Sequence, residues 1–275
     1  MMTRIAVTGS SGYIGSALIN FLQSKGYEPI PLSRNSNPSF SLDQLCDYSF
    51  VSQIDVLIHC AHDFKKNSET TNISGSKLLF EACSAVNVKI IFISSISAFS
   101  NAVSKYGRTK FQIEQLAIRS GAIIIRPGLV YDLSKPGSMF LSLVKIIKTF
   151  PLVPIIDGGT QIQFMCNLDS LCVLLHQLSF QHSKYKGKIV TAACREPEKL
   201  HDILILIAHH FHKRRWFFSI SSSTILAILT FIELFKIPIR TNKDSLISLL
   251  NQNQNPDFSF LDNFKVNFPP LRSMC

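Results

Sequence analysis

Two side chains in the segment YGRTK (106–110) have the types and the spacing of an acid–base pair. Tyr106 and Lys110 are four residues apart, so on a helix they share a face. A phenol ordinarily has a pKa near 10, and a nearby ammonium group lowers it by favouring the phenolate. We therefore predict that Lys110 brings Tyr106 into the range in which it exchanges protons near neutral pH. Taken alone, however, the Tyr-x-x-x-Lys spacing also arises often by chance.

A hydroxyl group is expected beside this pair. The run VKIIFISS (88–95) predicts a buried strand that ends in Ser94 and Ser95. Ligands of parallel α/β sheets bind outside the carboxyl ends of the strands. A serine at that edge would hold the oxygen atom on which Tyr106 acts.

The segment VTGSSGYIGSAL (7–18) carries Gly9, Gly12 and Gly15 between a predicted strand and a predicted helix. Such a turn directs backbone N–H groups and the positive end of a helix dipole at one point, which suits a phosphate. Glycine lets the backbone approach the anion because it has no Cβ. The segment therefore predicts a dinucleotide site, with a tight turn that only needs positive φ as the alternative.

Strands and helices must alternate to position these residues. Apolar runs predict strands near the N-terminus and at 27–33, 55–61, 88–95 and 122–128, with helices at 13–25, 72–86 and 103–119. This alternation is typical of a parallel sheet covered on both faces. The second half is less regular, with helices predicted at 136–150 and 168–180.

Taken together, the motifs resemble the extended branch of the short-chain dehydrogenase/reductase superfamily, which contains nucleotide-sugar epimerases, dehydratases and reductases. The resemblance rests, in chain order, on TGSSGYIG (8–15), CDYSF (46–50), LIHCAH (57–62), SSISAFS (94–100), YGRTK and RPGLVYD (126–132). It implies an α/β fold of Rossmann type, a doubly wound parallel sheet with helices on both faces and a small C-terminal substrate lobe. It also implies a dinucleotide-binding domain at 1–130 and a substrate lobe formed mainly by 131–275, with the helix at 168–180 packing back on the first domain.

The resemblance also assigns the site residues. Ser95 would orient the substrate oxygen, Tyr106 would move the proton, and Lys110 would bind the nicotinamide ribose and tune Tyr106. Asp47 and Tyr48 would hold adenine, and His62 stands where alanine is common. The residues expected to bind the cofactor are Gly9, Ser11, Gly12, Tyr13, Ile14, Gly15, Ser33, Arg34, Asp47, Tyr48, Cys60, Ala61, His62, Asn72, Lys110 and Pro127.

The end of the second predicted strand bears on cofactor choice. NAD sites usually carry Asp or Glu about 20 residues beyond the glycines, to bind the ribose 2′-OH. Here Ser33 and Arg34 stand in that region, and a guanidinium group suits a 2′-phosphate. We predict NADP as the preferred cofactor. NAD is the alternative, in which Arg34 points to solvent.

The implied activity is that of a nucleotide-sugar epimerase or a 4-keto-sugar reductase, with a nucleotide-diphosphate sugar as substrate. Relatives often carry an arginine for the substrate phosphate where this chain has 161–163 (QIQ), so Arg195 or the cations at 213–215 would have to replace it. Two alternatives stay open. One is a non-catalytic dinucleotide-binding module in an assembly or sensor, and the other is a reductase of a lipophilic, membrane-associated substrate.

The charge and the cysteine content limit the classes of binding partner and the cellular compartment that we expect. The formal net charge of +10 over 275 residues favours anionic partners such as phosphates, nucleotides or acidic lipid. No nucleic-acid recognition motif is visible, and we predict neither nucleic-acid binding nor a metal site. None of the seven cysteines forms a CxxC pair, and no signal peptide is recognised, so we expect buried thiols in a cytoplasmic protein. A homodimer is left open.

One uncharged stretch, WFFSISSSTILAILTFI (216–232), has 17 residues, which is at the lower edge of a membrane span. Serine and threonine interrupt it at 221–224. We therefore predict a buried helix of the second lobe in preference to membrane contact.

Overall fold

The computed structural model describes residues 3–43, 47–65, 67–221, 223–224 and 243–274. Its strands are β1 (Ile5–Thr8), β2 (Ile30–Leu32), β3 (Val56–His59), β4 (Lys89–Ile93), β5 (Ile123–Pro127), β6 (Leu129–Tyr131), β7 (Leu152–Ile156), β8 (Ile162–Gln163), β9 (Met165–Asn167), β10 (Ile189–Ala192), β11 (Glu198–Lys199) and β12 (Trp216–Ile220). Its α-helices are α1 (Tyr13–Ser24), α2 (Glu69–Ala85), α3 (Lys105–Arg119), α4 (Ser138–Thr149), α5 (Leu168–Tyr185), α6 (Leu200–His210) and α7 (Lys243–Leu250).

Six of these strands form one sheet in the order β10-β5-β4-β3-β1-β2. Every neighbouring pair in it is parallel. The chain leaves β1 toward β2 on one side and then crosses back to β3 on the other. The strand order therefore reverses between β1 and β3, and a ligand site is expected at the carboxyl ends of these two strands.

Both faces of the sheet are covered, because side chains alternate along each strand. Ile5 and Val7 belong to the core that includes apolar side chains of α1 and α5. Ala6, between them, belongs to the core that includes those of α2 and α3. A strand buried on both faces reads as a continuous apolar run. The structure thus confirms the predicted fold class, a doubly wound parallel sheet with helices on both faces.

A third core lies outside the large sheet and joins α4 and α6 to β7 and to the last described segment of the chain. It includes Phe140, Ile147, Val153, Ile203 and Leu271. Helix α5 packs against α1 and β4 rather than within this core. The division of the chain into domains at residue 130 stays a prediction.

The buried helix predicted at 216–232 is wrong for its first five residues. Trp216–Ile220 form β12, which pairs in parallel with β7, and the Trp216 side chain is 79% exposed. Position 222 and the span 225–232 lie outside the described residues. Within the described part of the chain, none of the helices combines the length and the apolar character needed to cross a membrane.

Candidate active site

A cavity of about 1620 Å³ opens at the carboxyl ends of the central strands. Pockets for single small ligands commonly measure about 300–1,000 Å³, so this one has room for a dinucleotide and a second molecule. It brings together most of the residues predicted from the sequence. They are Gly9, Ser11, Gly12, Tyr13, Ile14, Gly15, Ser33, Arg34, Cys60, Ala61, His62, Asn72, Ser95, Tyr106, Lys110 and Pro127.

Asp47 and Tyr48 are the two predicted residues that do not line this cavity. The Asp47 carboxylate accepts hydrogen bonds from the backbone N–H and the hydroxyl of Ser49, both at 2.8 Å. The Tyr48 ring lies 6.3 Å from the ring of Phe50. The Asp47 carboxylate is thus engaged by Ser49, the first residue of the 3-10 turn Ser49–Gln53, and the contact of both residues with adenine stays a prediction.

The start of α3 is held by two acceptors, and this fixes the backbone that carries Tyr106. The Ser104 hydroxyl accepts from the N–H of Gly107 at 3.0 Å. The Asp244 carboxylate accepts from the N–H of Lys105 at 2.7 Å and from that of Tyr106 at 2.8 Å. N–H groups at a helix start lack partners within the helix, so these contacts satisfy them. The sequence analysis missed Asp244, which lies in α7.

Lys110 lies under the tyrosine. Its buried Nζ donates to the carbonyl oxygen of Ile93 at 2.8 Å. It lies 4.8 Å from the centroid of the Phe92 ring and 5.9 Å from that of Tyr106. Burial lowers the pKa of Lys110 to about 8, against the opposing effect of nearby Cys60 and Glu114. The amine is thus fixed by the end of β4.

The pKa of Tyr106 differs from the sequence-based expectation. Burial raises it to about 12, and a side-chain hydrogen bond with Ser95 acts in the opposite direction. The expected lowering by Lys110 is not found, because its Nζ is engaged by the Ile93 carbonyl and is 5.9 Å from the ring centroid. In this structure the phenol therefore stays protonated through the neutral range, while Ser95 holds its hydroxyl.

Two further rings surround Tyr106. His62 meets it edge-on with the ring centroids 5.1 Å apart, and Phe64 stacks on it at 6.0 Å. Burial lowers the pKa of His62 well below its usual value, so the imidazole is neutral. Its Nδ1 is buried, and no residue in the described part of the chain hydrogen-bonds to it. An unpartnered buried nitrogen beside the phenol fits a wall built to receive a polar ligand.

The glycine turn fits a pyrophosphate. Gly9 has φ +64°, and a Cβ there would lie 2.9 Å from the Ala61 backbone. A Cβ on Gly15 would lie 2.2 Å from the Gly9 oxygen, so α1 packs directly on the turn. At Gly12 the nearest atom to a Cβ is that same oxygen, at 3.1 Å. No side chain caps the start of α1, which leaves its first N–H groups to an anion.

Replacement of Gly12 with valine is expected to weaken dinucleotide binding about tenfold to 100-fold, since filling a packed site costs roughly 1–3 kcal/mol. Folding should persist, because Gly12 has φ −80° and ψ 173°, a region open to any residue. Isothermal titration and a thermal melt of the variant measure the two effects. An unchanged affinity in the folded variant would remove this turn from the site.

Arg34 does not stand alone at the β2 end of the cavity. Its guanidinium lies 3.7 Å from the Asp43 carboxylate and 4.0 Å from that of Asp63. The Lys65 ammonium lies 3.5 Å and 3.9 Å from the same two groups. Two cations thus face two carboxylates, and the Arg34 side chain is 56% exposed. A 2′-phosphate would compete with these carboxylates for Arg34.

The cations expected to meet a substrate phosphate lie elsewhere. Arg195 pairs with Asp262 and donates to the carbonyl of Phe258 at 3.3 Å. Arg215 donates to the carbonyl of Ile147 at 2.5 Å. Arg195 and the cations at 213–215 are absent from the cavity lining. The structure therefore gives the expected replacement for the missing arginine no support.

Comparison with known proteins agrees with this geometry. Residues 5–135 match the model of the NAD dependent epimerase/dehydratase family. A dTDP-4-dehydrorhamnose reductase of Mycolicibacterium smegmatis is 30% identical over 169 residues, which cover 53% of this chain and 51% of that protein. A ceramide reductase of Caulobacter vibrioides is 25% identical over 184 residues, covering 58% and 55% of the two chains. The chain thus spans about half the length of these curated relatives.

A solved structure shares the fold over a larger part of the chain. The dTDP-4-dehydrorhamnose reductase of Bacillus anthracis in complex with NADP superposes with a TM-score of 0.68 and is 18% identical. The superposition covers 82% of this chain and 86% of the other. At that identity the likeness concerns the fold, a central parallel sheet with helices around it.

Proposed function

We propose that this chain, of which residues 5–135 match the model of the NAD dependent epimerase/dehydratase family, is an NAD(P)-dependent enzyme acting on a nucleotide-diphosphate sugar. The reaction is hydride transfer at a sugar carbon, as a 4-keto-sugar reductase or as an epimerase. The observation that carries this proposal is the phenol of Tyr106, hydrogen-bonded to Ser95 in the same cavity as the glycine turn.

Each residue has a separate task in this proposal. A bound nicotinamide supplies or accepts the hydride. In the reductive direction Tyr106 gives its hydroxyl proton to the carbonyl oxygen while Ser95 holds that oxygen by a hydrogen bond. Lys110 is held beneath the Tyr106 ring by its hydrogen bond to the Ile93 carbonyl. It donates its remaining N–H groups to the ribose. The N–H groups at the start of α1 bind the pyrophosphate.

A second candidate is reduction of an uncharged, lipophilic substrate. The cations that line the cavity already have partners within the described residues. Lys105 lies 3.0 Å from Glu69, Arg108 donates to the Val103 carbonyl at 2.5 Å, and Lys110 donates to Ile93. A sugar diphosphate would have to share these cations with their present partners, whereas a lipid ketone needs no cation. The match to a ceramide reductase points the same way.

Direct assay separates these functions. We expect NADPH oxidation when the protein receives dTDP-4-dehydrorhamnose, or interconversion of UDP-glucose with its 4-epimer without net change in cofactor. Turnover confined to a ceramide-derived ketone would favour the second candidate. A folded protein that binds NADPH but converts none of these would instead match a non-catalytic dinucleotide-binding module.

Cofactor choice is tested at Arg34, where we propose a preference for NADP(H). Arg34→Ala is expected to weaken NADPH binding about tenfold, because a charge-assisted hydrogen bond contributes roughly 1.5–3 kcal/mol and exposure screens part of it. Affinity for NADH should stay nearly unchanged. Asp43→Asn is the matched variant, and it should tighten NADPH binding by releasing Arg34. Equal effects on NADPH and NADH would contradict the preference and favour NAD.

A further inference from the structure

A two-stranded ribbon on the surface of the third core has an unusual outer face. In the parallel pair of β7 and β12, Leu152 lies opposite Trp216 and Pro154 lies opposite Phe218. All four are exposed: the fractions are 55% for Leu152, 79% for Trp216 and 43% for Phe218. Because side chains alternate along a strand, the residues between them face inward. Phe217, for example, packs against the third core.

The adjacent chain is basic and lacks acidic residues. The sequence contains no Asp or Glu at 133–156 or at 203–220, the two spans that supply β7 and β12. Lys148, Lys213 and Arg214 are exposed at the ends of α4 and α6 next to the ribbon. Phe150, which is 53% exposed, lies between α4 and β7. The exposed apolar side chains of the ribbon therefore lie directly beside a group of exposed cations.

We propose that this ribbon surface, formed by Phe150, Leu152, Pro154, Trp216 and Phe218 with Lys148, Lys213 and Arg214, docks the protein peripherally on a membrane that contains anionic lipid. Tryptophan is enriched at the boundary between headgroups and acyl chains. Lysine and arginine near that plane are attracted by anionic headgroups. The proposal goes beyond the proposed function and does not depend on which substrate is turned over.

Charge favours an anionic membrane over a second copy of this chain as the occupant. A second copy of this chain would place Lys213 and Arg214 of both copies around one apolar contact, and like charges brought together oppose association. An anionic bilayer offers both an apolar layer and opposite charge to the same surface. The uncharged residues 225–232 that follow in the sequence lie outside the described residues.

The protein carries its own reporter, because Trp216 is the sole tryptophan of the chain. Vesicles of phosphatidylcholine with phosphatidylglycerol are expected to shift its emission to shorter wavelength and to carry the protein into the pellet on centrifugation. Vesicles of phosphatidylcholine alone should do neither, and added salt should reverse the binding. No shift and no pelleting with the anionic vesicles would overturn the proposal.

Charge reversal identifies the surface. Lys213→Glu/Arg214→Glu is expected to lower vesicle partitioning at least about 25-fold, roughly fivefold for each cation removed. Lys25→Glu/Lys77→Glu is the control, since it changes the net charge by the same amount at the end of α1 and on α2. Likewise Trp216→Ser should reduce pelleting, whereas Phe180→Ser, at another exposed aromatic residue, should not.

Two other outcomes overturn the proposal. Equal losses in both charge-reversal variants would mean attraction by net charge rather than by this surface. A concentration-dependent shift of Trp216 emission without vesicles, with a matching dimer in analytical ultracentrifugation, would mean that a second copy covers the ribbon surface. Circular dichroism of every variant confirms that each is folded before partitioning is compared.

Discussion

Replacing Tyr106 with phenylalanine is expected to lower turnover about 10²- to 10⁴-fold, the contribution of a positioned acid or base. The ring and its contacts with His62 and Phe64 remain, while the hydroxyl bonded to Ser95 is lost. Dinucleotide affinity should change by at most about tenfold, because a single neutral hydrogen bond contributes a net of roughly 0.5–1.5 kcal/mol. Steady-state kinetics and cofactor titration on the same preparation measure both.

Tyr27→Phe is the matched control for this variant. Tyr27 packs against His176 and Phe180 and is not among the residues that line the cavity. The control should keep turnover near that of the unmodified protein. Turnover of Tyr106→Phe within about tenfold of the unmodified protein, below the usual range for acid–base catalysis, would contradict the role proposed for this residue.

Five of the six strands of the large sheet were predicted because they are encoded locally, whereas β10 was not among the predicted strands. β1, β3, β4 and β5 consist mainly of Ile, Val, Leu and Phe, which is typical of strands buried on both faces. The helix boundaries were harder to predict. Helix α5 departs from helical geometry at Gln181 (φ −106°, ψ 16°), one residue after the predicted end at 180, and then continues to Tyr185. In this last turn His182 bonds to the carbonyl of Ile90 at 3.0 Å. That contact joins residues 92 positions apart, and no local pattern indicates it.

The surface ribbon could not be predicted for a related reason. The letters WFFSI (216–220) are apolar and β-favouring, but composition does not tell which side of a strand meets solvent. The pairing of Trp216 with Leu152 spans 64 residues of chain. It leaves one face of the pair outside the third core. Hydrophobicity alone therefore predicted that Trp216 and Phe218 are buried, whereas the structure exposes both side chains.

The candidate site likewise contains residues that the sequence predicted and residues that it did not. That the serine, tyrosine, lysine and glycines lie together in one cavity was predictable, because the elements that carry them follow one another in a fixed order. Asp244 was not, since it holds the start of α3 from 138 residues away. The state of Tyr106 also depends on distant contacts. Its pKa follows from burial and from Ser95, while the Ile93 carbonyl takes the amine that was expected to act on it.

The second large effect is expected beneath α3, where Arg126→Met should lower the free energy of unfolding by about 3 kcal/mol. Arg126 of β5 donates to both carboxylate oxygens of Glu114, at 2.8 Å and 2.6 Å. The Glu114 side chain is fully buried, and that of Arg126 is 17% exposed. Removing the arginine leaves a buried carboxylate without its cation, which typically costs about 3–5 kcal/mol. The partial exposure of Arg126 places the expected value at the lower end.

The double variant Arg126→Met/Glu114→Leu tests this cause, with urea unfolding as the measurement. Replacing a buried ion pair with apolar side chains of similar size is often neutral, so the double variant should regain most of the lost stability. If it is as unstable as Arg126→Met alone, the loss comes from packing and not from the uncompensated charge. Glu114 follows Lys110 by one turn of α3, so turnover of the single and double variants is compared as well. If the double variant recovers both stability and any turnover lost in Arg126→Met, the pair acts by positioning the helix. If it recovers stability but not turnover, the charge of the pair also acts on Lys110.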